Sequence, residues 1–136
     1  MLTNFDDTRV FCQLYISSND VDPNWISDIL GLKGRGFSKG EPAEIGGKHA
    51  ERAYGTWSYE AFTEDEVPDK MVSEMLDLIA AKIPVFREIV KRSCAKFRVR
   101  VHCDGSTRDQ IFSLSVPMNK FGQLEEVISD FELVVL

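Results

Sequence analysis

Lys96-Phe97-Arg98-Val99-Arg100-Val101-His102-Cys103 alternates without a break between two kinds of side chain. Phe97, Val99, Val101 and Cys103 fall on one side, and Lys96, Arg98, Arg100 and His102 on the other. Period-two alternation with aromatic and β-branched members predicts a half-buried strand, one face in a core and one facing out. The outward face is a row of basic groups in a chain whose net charge is −6. Residues 82–108 concentrate that positive charge, with eight Lys or Arg against only Glu88 and Asp104.

Working back from this strand, residues 8–17 read as a first strand, with Val10, Cys12, Leu14 and Ile16 inward. Asp22-Pro23 then opens a helix, with Asp22 as N-cap and Pro23 where a missing N–H costs nothing. Its apolar side is Trp25, Ile26, Ile29 and Leu30, and Gly31 is placed to end it in a left-handed conformation. Six of the nine glycines fall in 31–47, which reads as a long glycine-rich loop. Residues 53–61 form the next strand, Trp57 and Tyr59 on one side and Thr56, Ser58 and Glu60 on the other. After an acidic turn at 63–66, the helical spacing of Val72, Met75, Leu76, Ile79 and Ile83 predicts a long helix. Pro84 interrupts or kinks it before Phe86, Ile89 and Val90.

Working forward, Asp104-Gly105-Ser106-Thr107 reads as a turn and 110–117 as an antiparallel return strand with Phe112, Leu114 and Val116 inward. A helix over about 119–129 and a short strand from Glu132 to Leu136 complete the chain. The order βαβ-α-ββαβ predicts one α+β domain over 1–136. We expect a two-layer α/β sandwich of ferredoxin-like flavour, with a mostly antiparallel sheet of about five strands and helices on one face.

Val21-Asp22-Pro23 with Ile26 and Leu30-Gly31-Leu32, Lys39-Gly40-Glu41, Thr56-Trp57 and the final helix-to-strand segment together resemble a bacterial family. That family is described only as a domain of unknown function, number four-two-seven-nine. The resemblance spans nearly the whole chain. It implies a compact bacterial α+β domain and transfers no catalytic residue or cofactor.

An acidic chain of 136 residues with 43% hydrophobic content is large enough to bury a core unaided, and its charge argues against general nucleic-acid affinity. No apolar run reaches the length a membrane helix needs, and Met1 to Asp7 lacks the features of a secretory signal. The three cysteines show no CxxC spacing, so neither a disulfide framework nor a zinc site is indicated. Reduced buried thiols in a cytoplasmic protein are expected. His49 and His102 are isolated from other ligand types. No GxSxG, HExxH or other nucleophile-and-base pattern is visible, and no cofactor motif.

Two candidate sites remain. The first is the basic face of Lys96, Arg98, Arg100 and His102, accompanied by Gln13, Tyr15, Ser113 and Ser115. Leu14-Tyr15-Ile16 faintly resembles the first-strand motif of RNA-recognition modules, but the aromatic-rich companion motif is missing. The bland reading is a solvated face that guards the sheet against edge pairing. The second is loop 33–48, where Arg35 and Lys39 on a glycine-rich backbone would contact an anion beside Trp57. Its bland reading is a connector, with Trp57 completing the core. The leading expectation is a non-enzymatic module binding another protein through charged faces, as toxin-neutralising immunity proteins do. The alternative is a small-molecule or anion sensor built on loop 33–48 and Trp57. The last strand offers a surface for two-fold pairing, so a homodimer is among the expected arrangements.

Overall fold

The structure, a computed structural model, describes residues 11–62, 68–103 and 124–135. Val10, the acidic turn at 63–66, the 104–107 turn, the 110–117 strand and residues 119–123 lie outside the described residues.

The first strand, β1 (Phe11–Ser18), buries Cys12, Leu14 and Ile16 as its alternation requires. Helix α1 (Pro23–Leu30) begins where the Trp25 backbone N–H donates to Asp22 Oδ1 at 3.3 Å. It ends at Gly31, whose φ of 68° lies in the region that favours glycine. Both ends are therefore where capping chemistry puts them.

Residues 31–47 are not one continuous loop. They contain an edge strand, β2 (Arg35–Phe37), and a strand β3 (Pro42–Ile45) that pairs with β4 (Lys48–Glu51) in a separate ribbon. Gly46 and Gly47, at φ 61° and 79°, form the two-residue turn of that ribbon, a geometry matching the twist of paired strands. The density of glycine that suggested a loop has a second cause in close approach. A Cβ at Gly36 would stand 1.9 Å from the Thr56 carbonyl oxygen, and one at Gly34 would stand 2.2 Å from the Trp57 indole. Backbone bonds from Gly40 N–H to Arg52 O (2.8 Å) and Arg52 N–H to Glu41 O (2.9 Å) fasten the ribbon, and Arg52 lies over the Phe37 ring.

Strand β5 (Gly55–Phe62) runs antiparallel to β1, with Ile16 opposite Trp57 and Leu14 opposite Tyr59. The strand–helix–strand unit at the start of the chain thus joins antiparallel neighbours. The long helix divides into α2 (Pro68–Ala81) and α3 (Ile83–Ser93) at Lys82, whose backbone is non-helical (φ −127°, ψ 32°). Pro84 stands in the first turn of α3, where it forfeits no hydrogen bond, so it starts a helix instead of kinking one.

Strand β6 (Phe97–Cys103) buries Phe97, Val99 and Val101, as its alternation predicts. The end of the chain departs from expectation. Leu124, Val127 and Ile128 are buried, as a helix would have them, yet residues 125–127 turn and β7 (Ile128–Val135) is already extended. The Phe97 N–H donates to Val127 O at 2.8 Å, and β7 continues beside β6 in parallel register. Apolar spacing over so few residues fits either structure, and pairing with β6 decides it. A bulge between Phe97 and Arg98 accommodates one extra residue of β7 and brings Asp130 opposite Arg98 and Glu132 opposite Arg100.

The result is an α+β fold with a mixed five-stranded sheet in the order β2-β5-β1-β6-β7. Three of its pairings are antiparallel, and β6–β7 is parallel. The helices cover one face, and a single cluster fills the space between. At its centre Phe97 meets Trp57 and Phe86 edge-on, with ring centroids 6.1 and 5.2 Å away.

Candidate functional site

On the face away from the helices, polar side chains of neighbouring strands meet in register. Gln13 on β1 stands between Glu60 on β5 and Arg100 on β6, and Arg100 stands opposite Glu132 on β7. From one edge of the sheet, Arg35 approaches Glu60 at 3.6 Å, and Gln13 Nε2 donates to Glu60 Oε1 at 3.4 Å. Arg100 Nη1 reaches Gln13 Oε1 at 3.5 Å, and Arg100 Nε donates to Glu132 Oε1 at 2.9 Å. Arg98 completes the row through Asp130 (3.4 Å) and Glu132 (3.8 Å). One polar ladder therefore crosses all five strands. Most of its contacts are long, and the Arg100–Glu132 pair is the tight one.

The basic row anticipated at Lys96, Arg98, Arg100 and His102 is thus extended and outward, but it is not bare. Asp130 and Glu132 offset its two arginines, and Arg100 also lies over the Tyr15 ring at 4.2 Å from the centroid. Lys96 donates to the Glu125 carbonyl at 2.8 Å. His102 stacks on Phe11, centroids 4.4 Å apart and planes within 6°, and its Nε2 is buried with no hydrogen-bond partner among the described residues. Burial, reinforced by Arg100, holds His102 below the ordinary histidine pKa of 6.5, although Glu60 and Glu132 pull the other way. The imidazole is therefore kept neutral, the form that tolerates an unpaired buried nitrogen best.

At one end of the ladder the face is concave. A hollow of about 400 Å³ is lined by Tyr15, Ser17, Lys96, Arg98, Arg100 and Ser129, together with Ile16 and Ala95. That size falls within the range of small-molecule sites. Three of the sequence-predicted residues, Lys96, Arg98 and Arg100, meet here. His102 lies farther along the same strand, and Arg35 belongs to the opposite end of the ladder.

Trp57 and Lys39 do not join them. Trp57 is 0% exposed, faces the helices, and donates from Nε1 to Ser27 Oγ at 2.9 Å. It is a core residue sealed by Gly34, not a ligand platform. Lys39 is exposed in the turn between β2 and β3. A second, more open hollow of about 580 Å³ lies at the C-terminal end of α1, lined by Asn24, Ser27, Asp28, Gly31, Leu32, Lys33 and Gly34. Neither Arg35, Lys39 nor Trp57 lines it.

Other reactive groups stand apart. Burial pushes the Cys12 thiol up to about 12, so it remains a protonated core residue. His49 pairs with Glu44 at 3.7 Å on the exposed ribbon. Among the described residues no group of three or more His, Cys, Asp or Glu could hold a metal ion. No helix among them is long and apolar enough to cross a membrane.

Sequence reading missed Asp130 and Glu132. Their two-residue spacing beside Phe131, Leu133 and Val135 is a strand signal, and the helical spacing just before it hid the start of β7.

The fold and face define a small α+β domain with a charged, open sheet surface. The chain belongs to the family described as Domain of unknown function (DUF4279), whose model matches residues 8–123. The match includes Lys96, Arg98, Arg100 and His102 and stops before Asp130 and Glu132. No curated protein and no solved structure matches the chain.

Proposed function

We propose that the protein is a non-enzymatic module that binds another protein through the outer face of its sheet, with Arg98 and Arg100 as the principal charged contacts. The observation that carries this reading is the ladder. Arg100 is positioned by Glu132 at 2.9 Å and Arg98 pairs more loosely with Asp130 and Glu132, yet the two remain about a quarter and about half exposed. A positioned guanidinium loses less freedom on engaging a carboxylate than a free one, and charge matching on such a face sets orientation and on-rate. An immunity-like role in the cytoplasm, neutralising a partner of opposite surface charge, is one specific form of this proposal.

The alternative of an anion sensor built on loop 33–48 and Trp57 loses its aromatic platform, because Trp57 belongs to the core.

The test begins with affinity capture and identification of a partner, followed by reconstitution from purified components. Arg98→Glu with Arg100→Glu is expected to weaken binding at least about tenfold and to flatten its salt dependence. Unchanged affinity in the double variant would remove the outer face from the interface.

A further inference from the structure

We infer that the hollow between β1, β6 and β7 is an oxyanion site, receiving one carboxylate or phosphate group with Lys96 as its chief cation. The inference goes beyond protein binding by the face as a whole, and it stands on charge, donors and shape at this one place.

Charge comes first. Lys96, Arg98 and Arg100 line the hollow, while the carboxylates that offset them are Asp130 and Glu132. Among the described residues Lys96 has no carboxylate partner, and its one hydrogen bond goes to the Glu125 carbonyl. One positive charge is left over, on an ammonium with three donors of which one is used.

Donors come second. Arg98 is engaged through Nε and Nη1, which leaves Nη2 free to donate. Tyr15 and Ser17, each carrying a hydroxyl, also line the hollow. Ser129 Oγ has its single proton already claimed, with Phe97 O (3.3 Å) and Asp130 Oδ1 (3.2 Å) as the two acceptors in reach. Hydroxyls and cationic N–H groups converging on one concavity suit an acceptor with several oxygens, and carboxylate and phosphate are the compact groups of that kind.

Shape comes third. The hollow is half open, so one end of a ligand enters while the rest stays in solvent. This suits either a free anion or an acidic side chain of a larger partner, and the two sources share the same chemistry at the site.

The test is a titration of ¹⁵N-labelled protein, in one arm with inorganic phosphate and in the other with a short peptide of Asp and Glu. Saturable shifts of the Ser17, Lys96 and Ser129 amides in the millimolar range are expected in at least one arm. Saturation with phosphate identifies a free anion as the source, and saturation with peptide alone identifies an acidic side chain. Lys96→Gln is expected to weaken the response about tenfold, since a charge-assisted bond is lost. Glu132→Gln, which unmasks both arginines, is expected to strengthen it. Lys48→Gln on the exposed ribbon removes the same net charge far from the hollow and serves as control. Equal loss in Lys48→Gln and Lys96→Gln, or no saturable shift in either arm, overturns the site. If salt-sensitive partner capture survives such a failure, the protein-binding reading stands and this inference alone falls.

Discussion

The two faces of one sheet show how differently the same backbone can be used. Facing the helices, Leu14, Ile16, Trp57, Phe97 and Val99 are buried to within 1%, and Trp57 spends its single polar atom on Ser27. Facing outward, Arg35, Glu60, Gln13, Arg100, Glu132, Arg98 and Asp130 join strand to strand through ion pairs and hydrogen bonds. The inner face gains stability from apolar area and close packing, which electrostatic screening does not weaken. The outer face gains little stability, since half-exposed ion pairs are worth at most about 1 kcal/mol each. What it gains is fixed orientation of charged groups. Apolar burial and paired charge are thus separated by the thickness of a single strand layer.

Substitutions can test how complete that separation is. Trp57→Ala is expected to have the largest effect, a loss of about 3–5 kcal/mol in urea unfolding, because it removes the largest fully buried side chain and leaves a cavity. A loss below about 1 kcal/mol would mean that the indole is not the keystone of the inner face. Gly34→Ala comes next, at about 1–3 kcal/mol, because the new methyl overlaps the indole. That penalty is expected to shrink when Trp57 is also shortened to Phe, a coupling that a double-mutant cycle reads directly.

Glu132→Ala belongs to the outer face, and its expected cost is within about 1 kcal/mol although the carboxylate pairs with both Arg98 and Arg100. A cost rivalling that of Trp57→Ala would erase the distinction between the faces. The smallest effect concerns His102. Its folded pKa lies below 6.5, so just below that pH the unfolded chain binds more protons than the folded one. Its contribution is therefore complete above pH 6.5 and is lost as pH falls below it. In paired urea titrations at pH values on either side of 6.5, the wild type is expected to lose more stability on acidification than His102→Phe, which keeps the stack on Phe11. Parallel pH profiles for the two proteins would show that His102 titrates as it does in the unfolded chain.

Much of this division was legible in residues 96–103. Their alternation marks Phe97, Val99 and Val101 as buried and Lys96, Arg98, Arg100 and His102 as outward, and the same logic places Cys12, Leu14 and Ile16. Local chemistry also marks both ends of α1, because capping by Asp22 and Gly31 involves residues within one turn of each other. The edge strand and ribbon inside 31–51 were harder to see. Glycine there serves tight turning and close approach at once, and composition does not separate these causes from a flexible connector. The start of β7 was hidden because Leu124, Val127 and Ile128 have the spacing of a helix face, while Val127 lies in a turn and Ile128 is the first residue of a strand.

The sequence by itself determined which residues seek water and which avoid it, since side-chain period and capping act over a few residues. Only the tertiary structure decided that Arg98 and Arg100 would meet Asp130 and Glu132, and that Trp57 would be closed over by Gly34. Those outcomes depend on which strand lies beside which and in what register. Pairing between segments twenty or more residues apart leaves no local pattern, because its energy appears once the chain has folded back on itself.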